Sequence, residues 1–137
     1  MPMFTVQVSM PKWFRFWPFV TVALAIFWLS VIKIPSLKLY ENWFWDNVDK
    51  FGHALAYAAL FCSGASSLRN FSDKKQLTIN LLRILSVMCF LYGFSIEIVQ
   101  HFLPHRSFDP FDMLANTIGI ILGWLIFARI YSKAFVS

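Results

Sequence analysis

The chain has 137 residues, of which 58% are hydrophobic and only 14% charged, and its formal net charge is +5. Soluble domains carry about 25% charged residues, so this chain has too few charges to cover a surface that faces water. Composition therefore excludes an ordinary soluble domain, and the length fits a single domain, residues 1–137.

Four apolar segments are long enough to cross a bilayer, which takes about 20 residues per helix. The expected helices lie at about 16–33, 51–68, 84–103 and 110–130. The second segment is the least hydrophobic, and its small residues, such as Ala54, Ala58 and Gly64, suit close packing inside a bundle. The sequence thus predicts an all-α membrane protein, a bundle of four transmembrane helices.

The basic residues predict the orientation, because cytoplasmic loops carry an excess of Lys and Arg. A cytoplasmic N-terminus places eight of the twelve bases inside and four outside, so both termini are expected in the cytoplasm. The first segment also resembles a signal peptide, but the following "KIPSLKLY" has no small-x-small cleavage site, and an uncleaved helix is favoured. Topology then explains the positive charge, and we expect no nucleic-acid partner.

The first connection, residues 34–50, is expected to be a polar outer loop. Its aromatic residues Tyr40, Trp43, Phe44 and Trp45 are typical of an interfacial belt at headgroup level. The alternative is a half-inserted amphipathic segment that covers a lipid-accessible site.

Polar residues recur at helical spacing near the predicted outer ends of three helices. They form a candidate site whose role, binding or structural, the spacing leaves open, and no residue of it is assigned a catalytic role. Its members are Asp49, Lys50, His53 and Tyr57 on the second helix, Glu97 and Gln100 on the third, Arg106 in the turn, and Asp112 and Asn116 on the fourth.

Glu97 is expected within the bilayer, because only thirteen residues separate it from Arg83, about 20 Å of helix against a hydrocarbon core of about 30 Å. Such an acid needs a partner, and Arg106 and His53 are the candidates for Glu97 or Asp112.

Several of these residues also have a purely structural interpretation. Asp109 and Asp112 suit the N-terminus of the fourth helix, where the helix dipole favours acids, with Ser107 or Asp109 as the cap and Pro110 in the first turn. Gly119 and Gly123 form a G-x-x-x-G stripe that is expected to serve helix packing.

The segments "DKFGHALAYAALF" (49–61) and "YGFSIEIVQHFLPHRSFDPFDMLANTIGIILG" (92–123) resemble the VanZ-like family of small bacterial membrane proteins. That family pairs Asp-Lys-x-x-His-x-x-x-Tyr with a later Glu-x-x-Gln, an Arg and Asp-x-x-x-Asn-x-x-Gly, and each element is present here at the site positions. The resemblance implies a multi-spanning protein of the cell envelope, in the inner membrane. It also implies a link to low-level resistance to the glycopeptide teicoplanin.

Two functions of different classes follow. The first is a non-catalytic membrane module whose polar residues fix helix packing and present a surface to an envelope lipid or a protein partner. The second is an enzyme that acts on a lipid-linked phosphate or glycan at the outer leaflet. In it Arg106 and Lys50 would clamp the anion, His53 would be general acid or base, and Glu97 and Asp112 would orient it or hold a divalent ion.

We favour the module, since the sequence has no zinc-type Cys or His spacing, no nucleophile elbow and no phosphate-binding glycine loop. A transporter ranks third, because four helices without inverted repeats would need to oligomerise to enclose a path. We expect no cofactor and no metal centre, and the sequence does not define the oligomeric state.

Overall fold

The computed structural model of the chain describes residues 11–32, 43–72, 77–104, 108–131 and 135–136, with backbone alone for 43–47 and 135–136. A 3₁₀ turn at Lys12–Phe16 leads into the first of four α-helices. These are α1 (Trp17–Val31), α2 (Trp43–Phe71), α3 (Ile79–His101) and α4 (Pro110–Ile130). The predicted all-α class is confirmed. The described residues depart from it in two short strands, β1 (Leu77–Thr78) and β2 (Phe135–Val136), which pair in parallel.

Local chemistry explains where α3 and α4 begin. The Thr78 side chain accepts a hydrogen bond from Leu81 N at the start of α3. At α4, Asp109 Oδ1 accepts the Phe111 N–H at 2.8 Å, and Pro110 follows as the first helical residue. Proline suits that position, because its missing N–H would have no partner within the helix.

The second helix packs against the other three helices. Its interior face carries small residues such as Ala65 and large ones such as Phe61, both fully enclosed. Leu82 of α3 and Phe127 of α4 complete the same core. The low hydropathy of this helix comes from the polar residues near its two ends, whereas the small residues between them let neighbouring helices approach closely.

Three helices among the described residues are long and apolar enough to cross a membrane: the segment Lys12–Val31, α3 and α4. Their outward faces are apolar, and several large residues there are more than half exposed, namely Leu24, Trp28, Leu91, Ile121 and Leu125. Soluble monomers rarely expose such continuous apolar surface. The composition and these faces identify a membrane protein.

Two helix starts differ from the predicted ones. The second helix begins at Trp43 instead of residue 51, so residues 43–50 are helical and do not belong to a loop. An apolar run in the sequence identifies only the part of a helix that can face lipid. The helix itself continues into neighbouring polar residues, because its backbone hydrogen bonds do not depend on side-chain polarity. Of the predicted aromatic belt, Tyr40 and the side chains of Trp43, Phe44 and Trp45 lie outside the described residues.

The third helix begins at Ile79, which places Arg83 inside the helix, where it is exposed. Its 23 residues extend about 34 Å, enough to span a bilayer core. Arg83 therefore does not mark the start of the helix, and the position of Glu97 within the bilayer stays a prediction. Glu97 lies about one turn before the end of α3.

Candidate functional site

Three helix ends meet at one end of the bundle: the first half of α2, the last turn of α3 and the first turns of α4. The polar residues predicted from the sequence lie on these segments. The opposite end contains contacts of another kind, including Arg15, which donates to Asn70 O, and Arg69, which stacks over the Tyr131 ring at 4.4 Å.

Glycine in α4 sets the distance between the two helices that carry most of the site. A Cβ built on Gly119 would lie 2.2 Å from Ala54 O, and one on Gly123 would lie 2.8 Å from Ala58 O. Cys62 Sγ also donates to Gly123 O at 3.4 Å. Only glycine permits backbones this close, so the predicted packing stripe is also the feature that brings His53, next to Ala54, up to α4.

His53 lies between Asn116 and Asp112. Its Nδ1 is 3.0 Å from Asn116 Oδ1. Because an amide oxygen only accepts hydrogen bonds, Nδ1 carries a proton and donates it. The other ring nitrogen, Nε2, faces Asp112 Oδ2 at 3.7 Å, beyond hydrogen-bond distance.

Lys50 reaches α4 from the preceding turn of α2. Its Nζ donates to Asp109 Oδ2 at 3.2 Å and lies 3.8 Å from Asp112 Oδ1. Asp109 thus caps α4 with one oxygen and pairs with Lys50 through the other. Local sequence predicts Asp109 as a cap, but its pairing with a lysine 59 residues away has no signal in local spacing.

Asp112 is 7% exposed, and its Oδ1 has no hydrogen-bond partner among the described residues. Asp49, one turn before His53, comes near the same point. One ligand-type atom from each of Asp49, His53 and Asp112 lies within 4.8 Å of the others. The expectation of no metal centre was drawn from spacings within single segments, which cannot reveal a set assembled from two helices.

Glu97 of α3 is fully enclosed. Its Oε2 accepts the backbone N–H of Asp109 at 3.4 Å, while Oε1 has no partner within the described part of the chain. Arg106, predicted as its partner, lies outside the described residues.

Gln100 faces α1, whereas Tyr57 adjoins the other polar residues, because a Cβ built on Gly93 would lie 3.0 Å from the Tyr57 hydroxyl and 3.1 Å from Asn116 Nδ2. Gln100 Nε2 donates to Ser30 O at 3.2 Å, which ties the end of α3 to α1. The Tyr57 hydroxyl is buried. Sequence reasoning missed Ser30 and Gly93; a glycine inside an apolar helical run was the available sign of close contact.

We define the polar cluster as the residues that the structure brings together at this end: Asp49, Lys50, His53, Glu97, Asp109, Asp112 and Asn116. Four are carboxylates, whereas the described bases among them are Lys50 and His53. Of the four, Glu97 and Asp112 are buried, whereas Asp49 and Asp109 are accessible to solvent. A buried carboxyl group either takes up a proton or needs positive charge close by.

The family model described as VanZ/LLP1 matches residues 3–131 of the chain. Neither the comparison with curated proteins nor that with solved structures gives a match.

Proposed function

The chain belongs to the VanZ/LLP1 family, which confirms the resemblance noted above, and from that membership and the polar cluster we propose a membrane module of the bacterial cell envelope. In this proposal the protein lies in the cytoplasmic (inner) membrane, and its cluster holds the headgroup of an envelope lipid. The observation that carries it is the enclosed cluster itself, built from three helices at one end of an apolar bundle.

We propose that all four helices cross the membrane, with both termini in the cytoplasm. The described bases support this orientation, since five of them lie at the end opposite the cluster, namely Lys12, Arg15, Arg69, Arg83 and Arg129, and one, Lys50, lies at the cluster. The positive-inside rule places the basic end in the cytoplasm and the cluster at the outer boundary. Reporter fusions between α2 and α3 test this, and an external reporter there would overturn it.

The charge balance of the cluster favours a ligand with a cationic component. Lys50 pairs with Asp109 and also lies 3.8 Å from Asp112. Within the described residues, Asp49, Glu97 and Asp112 therefore share the imidazole of His53 and part of this one ammonium charge. A bare phosphate would meet three carboxylates, whereas the amine of a zwitterionic headgroup, or a cation that accompanies a phosphate, would be attracted. An envelope lipid that brings positive charge therefore fits better than a free anion.

The second candidate is an enzyme that acts on a lipid-linked phosphate or glycan. The observation that favours it is the position of His53, whose Nδ1 donates to Asn116 while Nε2 faces Asp112. An imidazole oriented by one group and open on its other nitrogen suits proton transfer. The proposed anion clamp is weaker support, because Lys50 bonds Asp109.

The test compares Glu97→Gln and His53→Ala with His101→Ala. His101 is an exposed histidine at the same end of the bundle and lies outside the cluster, so it is the matched control. Each variant is assayed for its amount in the membrane, for co-purified lipid by mass spectrometry, and for envelope phenotypes that include teicoplanin sensitivity.

Normal accumulation with loss of lipid and phenotype in the two cluster variants, but not in the control, supports a binding site. Normal lipid content with a lost phenotype favours the enzyme. Disappearance of both cluster variants from the membrane, with the control retained, would show that the cluster only holds the helices together.

A further inference from the structure

We propose that Asp49, His53 and Asp112 bind a divalent transition-metal ion, such as Zn²⁺ or Mn²⁺, at the end of the bundle. The inference concerns the same cluster as the proposed function and rests on it for the position of the site relative to the membrane. It goes beyond that proposal by identifying a bound metal ion as the positive charge next to the buried carboxylates.

The three residues are arranged as a ligand set. Asp49 and His53 are one turn apart on α2 and share a face, and the contact of Gly119 with Ala54 brings Asp112 of α4 to that face. Their ligand atoms lie within 4.8 Å of one another. Around an ion with bonds of about 2.0–2.2 Å, ligand atoms are about 3–4 Å apart, so small side-chain rotations close the set.

The hydrogen bond of His53 uses Nδ1, which leaves Nε2 available to bind a metal ion. Histidines that bind metals usually donate their other ring N–H to an oxygen acceptor, which fixes the tautomer. Here Nδ1 donates to Asn116 Oδ1 at 3.0 Å, so in the neutral ring the lone pair is on Nε2. Nε2 lies 3.7 Å from Asp112 Oδ2, and a lone pair this close to a carboxylate oxygen is repulsive unless a cation bridges the two atoms.

A second proton on Nε2 is the competing explanation, but the distances and charges disfavour it. A charge-assisted hydrogen bond would shorten the contact to about 2.7–2.9 Å. The other oxygen of Asp112, Oδ1, also lacks a hydrogen-bond partner among the described residues, and the residue is buried, with only 7% exposure. One proton adds a single positive charge next to Asp49 and Asp112, whereas a divalent ion adds two.

Glu97 is an independent sign that the cluster receives a ligand. It is not one of the three proposed ligands, it is 0% exposed, and its Oε1 has no partner in the described ranges. Its other oxygen, Oε2, accepts the backbone N–H of Asp109 at 3.4 Å, which keeps Glu97 at the start of α4, the helix that carries Asp112. Oε1 suits a second-shell role, accepting a hydrogen bond from a water on the metal.

The donor set defines the class of ion. One imidazole and two carboxylates suit Zn²⁺, Mn²⁺ or Fe²⁺ better than Ca²⁺ or Mg²⁺, which prefer oxygen ligands alone. Three protein ligands leave coordination positions open. A lipid phosphate can occupy one of these, which reconciles an acidic cluster with an anionic headgroup.

The test uses the full-length protein in detergent micelles, stripped with a chelator, and titrates Zn²⁺ with Mn²⁺ and Mg²⁺ in parallel. The wild type is expected to bind about one Zn²⁺ per chain. Asp49→Asn removes an exposed ligand at little structural cost and is expected to weaken binding at least about tenfold, as is Asp112→Asn. Asp109→Asn is the matched control, because it also removes one acid of the cluster but no ligand and keeps a capping residue.

A wild type that binds no stoichiometric Zn²⁺ or Mn²⁺ would overturn the inference. So would equal weakening by Asp49→Asn and Asp109→Asn, which would show only general attraction of cations. If Asp112→Asn does not fold, the comparison of Asp49→Asn with the control decides. Lipid is measured in the same samples, so that lipid without metal refutes this inference alone, and metal without lipid refutes the proposed headgroup binding alone.

Discussion

Replacing Gly119 by alanine tests the contact on which the site depends. The new Cβ would lie 2.2 Å from Ala54 O, against 3.4 Å where ordinary contact begins, a deficit of about 1.2 Å. The obstacle is backbone, so α2 and α4 must move apart. Overpacking destabilises a protein by about 1–3 kcal/mol, and because the backbone obstacle is rigid we expect a cost near the upper end, about 3 kcal/mol. The higher helix propensity of alanine offsets about 1 kcal/mol of that cost. We expect a net loss of about 2 kcal/mol.

The matched controls are Gly123→Ala and Gly52→Ala. The first meets Ala58 O at 2.8 Å and should cost less, and the second has no atom within 4 Å of the built Cβ and should stabilise α2 by up to about 1 kcal/mol. The free energy of unfolding is measured for each by titration with denaturing detergent. Equal stability of the Gly119 and Gly52 variants would refute the close contact between α2 and α4.

Three further predictions concern other contacts. Tyr92→Phe removes the bond from the Tyr92 hydroxyl to Ala23 O, 2.6 Å long, and should cost about 0.6–2 kcal/mol in the same titration; no loss would show that the bond does not stabilise the bundle. Asp109→Ala should lose about 0.5–2 kcal/mol through the missing cap, whereas Asp109→Asn should lose much less, and equal losses would assign the effect to the Lys50 pair. Cys89 is 1% exposed, so a maleimide should modify it only after unfolding, as followed by mass spectrometry, and rapid modification of the folded protein would contradict its place in the core.

Sequence predicted the fold where local chemistry and composition agree. The fourth helix has the predicted bounds, because Asp109 and Pro110 form a start signal and the following residues stay apolar. The start of α2 was missed because residues 43–50 mix aromatic and charged side chains, which suits a loop at the membrane surface as well as a helix. Hydropathy measures affinity for lipid and not the extent of backbone hydrogen bonding.

The site was predictable as a set of helix faces but not as a set of contacts. Spacing by four places Asp49 and His53 on one face, yet nothing in that spacing indicates that His53 meets Asn116 at 3.0 Å or that Gln100 turns towards Ser30. Those pairings depend on the distance and rotation between helices. Both are set by tertiary contacts such as that of Gly119, and glycine in a sequence does not identify its partner.

The composition of α2 has a consequence for biogenesis. Among the described residues, α2 is not one of the three helices that are long and apolar enough to cross a membrane, yet it packs against the other three helices, and α4, which contacts its Ala54–Ala58 face, follows it in the chain. If α2 spans the membrane, this face stays exposed to lipid until α4 has been synthesised and packs on it. A chain that stops before α4 would keep the face uncovered, and we expect such a product to be degraded faster than the chain that includes α4.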